Sequence, residues 1–186
     1  MNKEIIIVTI SLGNDGAERI LTELARQWHQ DGHKITVIQT SPNRYGTEYA
    51  LPEGIEQIQI HTTSSNKIIR FLQEIKVLIG ILKKRPRATC LSFLSASSFI
   101  LAISSWFVKN RIVFSERNNP RKVPVGKHQQ MLRDFAFNFA DAIVFQTEDA
   151  KSYFSHTIQS RGHIIPNPIN GNLPKPYEGE RDKTIV

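Results

Sequence analysis

The sequence predicts an α/β protein built on a doubly wound, parallel sheet. Short and continuous apolar runs recur along the chain, as expected of parallel strands that are covered on both faces. Longer stretches with apolar residues at helical spacing lie between these runs, and the two patterns alternate regularly. Neither an internal repeat nor a low-complexity segment interrupts the alternation.

The first half of the chain contains three predicted strands and two predicted helices. Residues 5–10 (IIIVTI) and 35–40 (ITVIQT) are apolar strands, and a helix over residues 17–30 connects them. Residues 55–60 (IEQIQI) alternate apolar and polar side chains, which is typical of a half-exposed edge strand. A helix over residues 66–84 follows. The apolar residues predicted along one side of this helix are Ile68, Leu72, Ile75, Ile79 and Leu82.

The second half continues the alternation with four further strands. Their sequences are TCLSF, RIVF, AIVFQT and HIIP. Helices are predicted over residues 97–108 and 126–140, with a short helix around residues 147–155. Residues 88–108 carry no charge and reach the roughly 20 residues that a bilayer span needs. The sequence LSAS in their middle indicates a turn or a helix cap, so we interpret the stretch as strand, turn and buried helix.

Residues 1–168 are predicted to form one domain. The sequence NPINGNLPKPYEG then resembles a linker, and GERDKTIV ends in apolar residues like the start of a new strand. We therefore expect residues 169–186 to be a linker and the beginning of a second domain.

The amino-acid composition limits the classes of function and partner that this chain can have. The formal net charge of +7 favours an anionic partner, although it also fits simple solubility. The chain has one cysteine, Cys90, which excludes an intrachain disulfide and fits a reducing compartment. Because Cys90 lies in an apolar run, we expect a buried structural thiol and not a nucleophile. The amino terminus does not resemble a signal peptide.

The stretch SLGNDGAERI, residues 11–20, follows the first strand and opens the first helix. In a doubly wound sheet, ligands bind beyond the carboxyl ends of the strands, and backbone N–H groups at a helix start attract anions. Gly13 and Gly16 would let a diphosphate approach the main chain. Alternatively, Asp15 and Glu18 form a capping box and the glycines only make the turn. The spacing leaves both interpretations open.

Two further stretches have both a functional and a structural interpretation. Residues 115–128 (SERNNPRKVPVGKH) are rich in basic side chains and follow a strand, so they could hold phosphate, or they could form a solvated loop. The helix over residues 66–84 is basic and broadly apolar, with KKRPR at its end. Such a helix suits an anionic membrane surface, but packing against the sheet is favoured.

Other sites are disfavoured by spacing. The loop after the first strand lacks the G-x-G-x-x-G dinucleotide pattern, and no Gly-Lys-Ser/Thr sequence follows Gly16. The six histidines are scattered without zinc-site spacing. Neither a G-x-S-x-G nucleophile elbow nor the aromatic-interleaved basic pattern of nucleic-acid binding is present.

Four segments together resemble the N-terminal domain of family 4, or group 1, retaining glycosyltransferases. They are SLGNDGAERILTELARQWHQDGHKITVI, SERNNP, ADAIVFQTEDAKSYF and HIIPNPI, in the order of that family and across nearly the whole chain. The resemblance implies one Rossmann-like half of a GT-B architecture. SERNNP is most similar to bacterial members that build capsular polysaccharide, O-antigen or other lipid-linked glycans.

The resemblance also implies the partners and the site. The expected donor is a nucleotide-diphosphate sugar, bound mainly by the second domain, and the expected acceptor is a glycan or lipid-linked sugar. Neither a cofactor nor a metal is expected, and the implied reaction is sugar transfer with retention by a hexosyltransferase-type enzyme. The implied location is cytoplasmic, peripheral at the inner face of the cell membrane, with an anionic membrane surface as a further candidate partner.

Carried over residue by residue, the family pattern assigns two groups. The residues implied at the cleft for the donor diphosphate and sugar are Gly13, Asn14, Asp15 and Gly16. The residues implied to contact the acceptor or donor sugar are Glu116, Arg117, Asn118, Thr147 and Glu148.

Two departures from the family pattern bear on these expectations. Many relatives read G-G-A-E where this chain has Asp15-Gly16-Ala17-Glu18, so a carboxylate stands near the expected diphosphate. The second domain, with the carboxylates and basic residues that bind the nucleotide, does not appear in the sequence, so this chain alone is expected to be inactive. The alternative hypothesis is a Rossmann-like module without catalysis that binds an anionic ligand or a membrane.

Overall fold

The computed structural model describes residues 3–13, 16–41, 49–93 and 95–167. Within these ranges the strands are β1 (Glu4–Thr9), β2 (Lys34–Gln39), β3 (Glu56–Gln59), β4 (Thr89–Ser92), β5 (Arg111–Glu116), β6 (Ala142–Phe145) and β7 (Gly162–Ile164). The helices are α1 (Gly16–Gln30), α2 (Lys67–Lys83), α3 (Ser95–Ser105), α4 (Lys127–Phe137), α5 (Glu148–Ser152) and α6 (His156–Gln159).

The strands in this part of the chain form one parallel sheet in the order β3-β2-β1-β4-β5-β6-β7. The chain winds outward from β1 to β3, returns through α2 to β4, and winds outward again on the other side. This confirms the predicted doubly wound α/β fold and the edge position of the third strand. The strand order reverses between β1 and β4, where such sheets place their ligands.

The two faces of the sheet are covered unequally. On one face, α1 packs on β1 and β2 through side chains that include Ile20, Leu21 and Ala25. On the other face, α2, α3 and α4 lie side by side and enclose the larger core, which contains Leu78, Leu101 and Phe137. Among the described residues, the helices leave the first face uncovered beside α1, over β4, β5 and β6.

Cys90 lies in the middle of the sheet and is fully buried in the larger core. Burial raises the pKa of its thiol to about 12, because the thiolate would lose its hydration there. The prediction of a buried structural thiol is confirmed.

The observed helices differ from the predicted ones in two respects. The short helix predicted around residues 147–155 is α5, which ends at Ser152, and α6 (His156–Gln159) follows it as a separate helix that was not predicted. In α2, the buried residues include Ile75, Leu78 and Leu82, whereas Ile68 and Leu72 are 71% and 58% exposed. The apolar side of α2 is thus wider than the strip that the core covers.

Within the uncharged stretch 88–108, β4 and α3 form the predicted strand and buried helix, whereas Leu94, at the predicted turn, lies outside the described residues. Among the described residues, none of the helices combines the length and the apolar character that crossing a bilayer requires.

Candidate functional site

The loop after β1 closes over a buried carboxylate. Glu18, in the first turn of α1, is 4% exposed and accepts a hydrogen bond from Ser11 Oγ at 3.0 Å. A Cβ at Gly13 would stand 3.0 Å from Glu18 Oε2, so the loop approaches Glu18 closely because residue 13 has no side chain. Asn14 and Asp15 lie outside the described residues, so the capping box with Asp15 stays a prediction.

A cavity of about 520 Å³ lies at the carboxyl edge of the sheet, between the start of α1 and the segments that follow β5, β6 and β7. The residues that line it are Gly16, Ala17, Arg19, Ile20, Arg117, Asn118, Gln146 and Asn167. Two guanidinium groups, three amide side chains and the positive end of a 15-residue helix thus face the same space. This donor-rich combination suits a ligand that carries both phosphate and hydroxyl groups.

Arg117 is the most unusual residue of this cavity. It is half-buried, its guanidinium lies 4.9 Å above the centre of the Phe93 ring, and its Nε is buried without a hydrogen-bond partner in the described structure. Burial lowers the pKa of Arg117, because the charged form has lost part of its hydration. A partly dehydrated cation with an unused donor is well prepared to receive an anion.

The loop that carries Arg117 and Asn118 is held from below by two buried charged residues. Glu116, at the end of β5, accepts the backbone N–H of Asn118 at 3.0 Å. Arg133, from α4, is fully buried and donates through Nη1 to the carbonyl oxygens of Pro120 and Val123, at 3.0 and 2.8 Å. Arg133 Nη1 also lies 3.8 Å from Glu116 Oε2, so the two charges compensate each other.

Burial raises the pKa of Glu116 to about 6. The backbone hydrogen bond from Asn118 and the charge of Arg133 act in the opposite direction and limit this rise. Glu116 therefore titrates much closer to neutral pH than an exposed glutamate does.

The cavity brings together some of the predicted site residues but not all. Gly16, Arg117 and Asn118 line it, whereas Glu116 lies behind the loop. Thr147 caps α5, where its Oγ1 accepts the N–H of Ala150 at 3.1 Å, and Glu148 is the exposed first residue of that helix. Neither Thr147 nor Glu148 lines the cavity, and all these ligand assignments stay predictions.

Four contributing residues were not singled out from the sequence: Arg19, Arg133, Gln146 and Asn167. Arg19 follows Gly16 by three residues, so helical spacing could have placed both on one side of α1. Gln146 follows β6 directly, and carboxyl ends of strands were already expected to face the ligand. Asn167 directly follows the predicted strand HIIP, so the same rule applied to it, whereas Arg133 carried no comparable local signal.

A second cavity of about 520 Å³ lies on the open face of the sheet beside α1. Its apolar lining includes Leu24 and Trp28 from α1 and Leu91, Val113 and Val144 from the strands. Arg117 borders both cavities. Its side chain thus separates a polar space at the sheet edge from an apolar groove on the sheet face.

The sequence and the fold both match known glycosyltransferases. A family model described as Glycosyltransferase Family 4 matches residues 14–172. This match covers most of the chain, so the chain belongs to glycosyltransferase family 4. The family resemblance predicted from the sequence is confirmed.

Solved structures share the fold at low sequence identity. Sucrose-phosphate synthase from Thermosynechococcus elongatus superposes with a TM-score of 0.70 at 7% identity, over 91% of this chain and 49% of that one. HepE from Anabaena, in complex with UDP, superposes with a TM-score of 0.65 at 12% identity, over 90% of this chain and 44% of HepE. The apo form of the lipopolysaccharide outer core galactosyltransferase WaaB superposes with a TM-score of 0.66 at 12% identity. The match covers 90% of this chain and 46% of WaaB. No curated protein matches the sequence.

These structures confirm the predicted Rossmann-like half of a GT-B architecture. The chain spans about half the length of each of them: 49%, 44% and 46%.

Proposed function

We propose that this chain is the acceptor-side domain of a retaining glycosyltransferase. The complete enzyme would transfer a hexosyl group from a nucleotide-diphosphate sugar to a glycan or lipid-linked glycan, in the synthesis of capsule, O-antigen or a similar polysaccharide. A second domain would bind the nucleotide, and HepE, whose structure contains UDP, supports a nucleotide of this kind. The chain alone is expected to be inactive.

The observation that carries the proposal is the placement of Arg117. Its unpaired Nε and partly dehydrated charge lie at the edge of a cavity that the start of α1 also faces. Among the described residues, carboxylates do not line that cavity, so its field favours an anion. A sugar diphosphate and a lipid-diphosphate sugar both supply such an anion beside hydroxyl groups.

The proposed mechanism uses the residues around the cavity as fixed donors. Arg19, Arg117 and the backbone N–H groups at the start of α1 would hold the diphosphate of the acceptor, and their positive charge would also stabilise the donor diphosphate that leaves the sugar. Asn118 and Gln146 would orient sugar hydroxyls, so that the acceptor hydroxyl attacks the face from which the diphosphate departs, and the departing diphosphate takes up the hydroxyl proton. Glu116 would act as a positioning residue, because it holds the Asn118 backbone and does not line the cavity. We expect this chemistry to need neither a metal nor a cofactor.

A lipid-linked acceptor would bring the enzyme to the membrane. We therefore propose a cytoplasmic location, peripheral at the inner face of the cell membrane. The net charge of +7 supports this, because anionic lipids attract basic proteins.

The second candidate is a Rossmann-like module without catalysis that binds an anionic ligand. The same Arg117 cavity would serve it, so the two hypotheses differ in what the cavity prefers. An acceptor-side domain should bind a lipid-diphosphate sugar and bind free nucleotide weakly. Tight nucleotide binding by this chain alone would favour the independent module.

The test is a titration of the chain, followed through backbone amide shifts. The probes are nucleotide-diphosphate sugars and a short-chain lipid-diphosphate sugar. We expect the second probe to shift Gly16, Arg117 and Asn118, and R117Q to weaken its binding about tenfold, because a charge-assisted contact is lost. R26Q is the control, since Arg26 pairs with Glu23 on the exposed side of α1. Equal affinities of R117Q and R26Q would contradict the proposal.

A further inference from the structure

The outward side of α2, α3 and α4 carries large apolar side chains where a helix layer normally meets water with polar ones. We name this surface the outer helical face and define it by Ile68, Ile69 and Leu72 of α2, Trp106 after α3, and Met131 and Phe135 of α4. Their exposed fractions are 71%, 49%, 58%, 58%, 68% and 43%.

Aromatic contacts link the three helices under this surface. The ring of Phe71 stacks on Phe99 at 5.8 Å, and Phe99 lies 6.5 Å from Phe135. Phe135 in turn lies 6.4 Å from Trp106. Because these contacts run from α2 across α3 to α4, the exposed apolar residues border a continuous aromatic band.

The charges around the outer helical face are mainly positive. The central helix α3 (SASSFILAISS) carries no charged residue. Lys67, Lys76 and Lys83 are exposed on α2, and Lys127 is exposed at the start of α4.

Each of the two outer helices carries one acidic side chain, so the four lysines outnumber the two carboxylates. Glu74 of α2 is buried and lies 3.9 Å from Arg70. Asp134 of α4 accepts a hydrogen bond from Arg133 at 2.9 Å. The exposed border of the face is therefore basic.

We propose that the outer helical face docks on an anionic lipid bilayer, with its apolar side chains in the interface and its lysines among the lipid phosphates. This combination of an apolar centre, an exposed tryptophan and a basic border is typical of surfaces that lie in the membrane interface. A second copy of the chain fits less well, because a symmetric contact would bring the two basic borders together. The outer helical face would account for the proposed membrane location, and its docking requires no sugar transfer.

The first test is vesicle flotation of the full chain. We expect binding to vesicles with about 30% phosphatidylglycerol, weaker binding as the salt rises from about 0.05 to about 0.3 M, and little binding to neutral vesicles. The double variant I68N/L72Q should weaken binding about tenfold or more, because two interfacial side chains are lost. V77Q is the matched control, since Val77 is exposed on the same helix about 140° around its axis from Leu72.

The charge contribution is tested by K76E against R26E, which changes the net charge equally on α1, on the opposite face of the sheet. K76E should weaken binding several-fold more than R26E. Equal losses would mean that net charge alone drives binding, and this would overturn the assignment of the surface.

The orientation is tested through the two tryptophans, Trp28 and Trp106. In W28F, the remaining Trp106 should show a blue-shifted emission with anionic vesicles and be quenched by brominated lipid. In W106F, the remaining Trp28, which lies in α1 on the opposite face of the sheet, should show neither effect. Quenching of Trp28 alone, absence of vesicle binding at low salt, or a dimer that forms in place of vesicle binding would each overturn the proposal.

If vesicles bind but the Arg117 titration fails, the docking surface stands and the proposed function falls. If the lipid-diphosphate sugar binds at Arg117 and vesicles do not, the reverse conclusion holds.

Discussion

A fully buried arginine, Arg133, holds the loop that presents Arg117 to the cavity. Its Nη1 hydrogen bonds to the Pro120 and Val123 carbonyls tie that loop to α4, and its guanidinium lies 4.9 Å above the Phe154 ring. Removing one partner from such a buried set leaves the others dehydrated and unpaired.

We therefore expect R133L to lower the free energy of unfolding by about 3 kcal/mol, as measured by urea denaturation. R121L is the control, because Arg121 is 52% exposed and its contact with Asp149 is long, at 3.4 Å. It should change stability by less than about 0.5 kcal/mol. Equal effects of the two substitutions would show that the Arg133 contacts contribute nothing specific.

Glu116 should make stability depend on pH between about 4.5 and 6. Its pKa is about 6 in the folded protein, above the usual 4.5, so the folded state favours the protonated carboxyl. The stability contributed by this protonation is complete below pH 4.5 and is lost as the pH rises through 6. The loss amounts to about 2 kcal/mol, because each pKa unit corresponds to about 1.4 kcal/mol.

The measurement compares wild type with E116Q, which has no proton to lose at residue 116. The free energy of unfolding of wild type minus that of E116Q should fall by about 2 kcal/mol between pH 4 and pH 7. A difference that stays constant with pH would contradict the raised pKa.

Residues of the site could be predicted from the sequence where they directly follow a predicted strand. Arg117 and Asn118 follow an apolar run, so the edge-of-sheet rule placed them near the ligand. Arg133 was not predictable, because its burial depends on Pro120, Val123 and Tyr153, which reach it only in the folded chain.

At the scale of the elements, two glycines differ in how closely their surroundings pack against them. Gly162 begins β7, and a Cβ there would stand 2.7 Å from Cε2 of the Phe145 ring and 3.1 Å from the Gln159 carbonyl oxygen. Gly80 lies within α2, where a Cβ would meet nothing within 4 Å. Close packing requires the first glycine, whereas the second only adds conformational freedom to a helix.

We expect G162A to destabilise the protein by about 1–3 kcal/mol, because the added methyl group displaces a core ring. G80A should stabilise it by about 0.5–1 kcal/mol, because alanine loses less backbone entropy in a helix. Thermal unfolding of the two variants measures both effects. A lower midpoint for G80A than for wild type would show that α2 needs this glycine for some other reason.

The elements themselves were largely predictable because their signals are local. Apolar runs and helical spacing placed every strand and the four longer helices within a few residues. Local spacing could not decide which apolar residues of α2 would be covered. Ile68 and Leu72 belong to its apolar side, but α3 and the sheet cover only the strip that includes Ile75, Leu78 and Leu82.

At the scale of the whole molecule, the family and the fold were recognisable from four short segments in a fixed order. The cavity was not, because α1 and the segments that follow β5, β6 and β7 contribute to it from positions between residues 16 and 167. The sequence located three of its lining residues, Gly16, Arg117 and Asn118, and the packing of the sheet supplied the rest.

The apolar groove and the outer helical face lie on opposite sides of the sheet, and Cys90 lies in the layer between them. Cys90 belongs to the larger core under the helix layer, so a thiol reagent reaches this fully buried side chain only when that core opens. Because the chain has one cysteine, its rate of labelling reports one event, the exposure of the core at β4. A ligand in the Arg117 cavity or a membrane on the outer helical face would slow the labelling of Cys90, to the extent that it stabilises the closed protein.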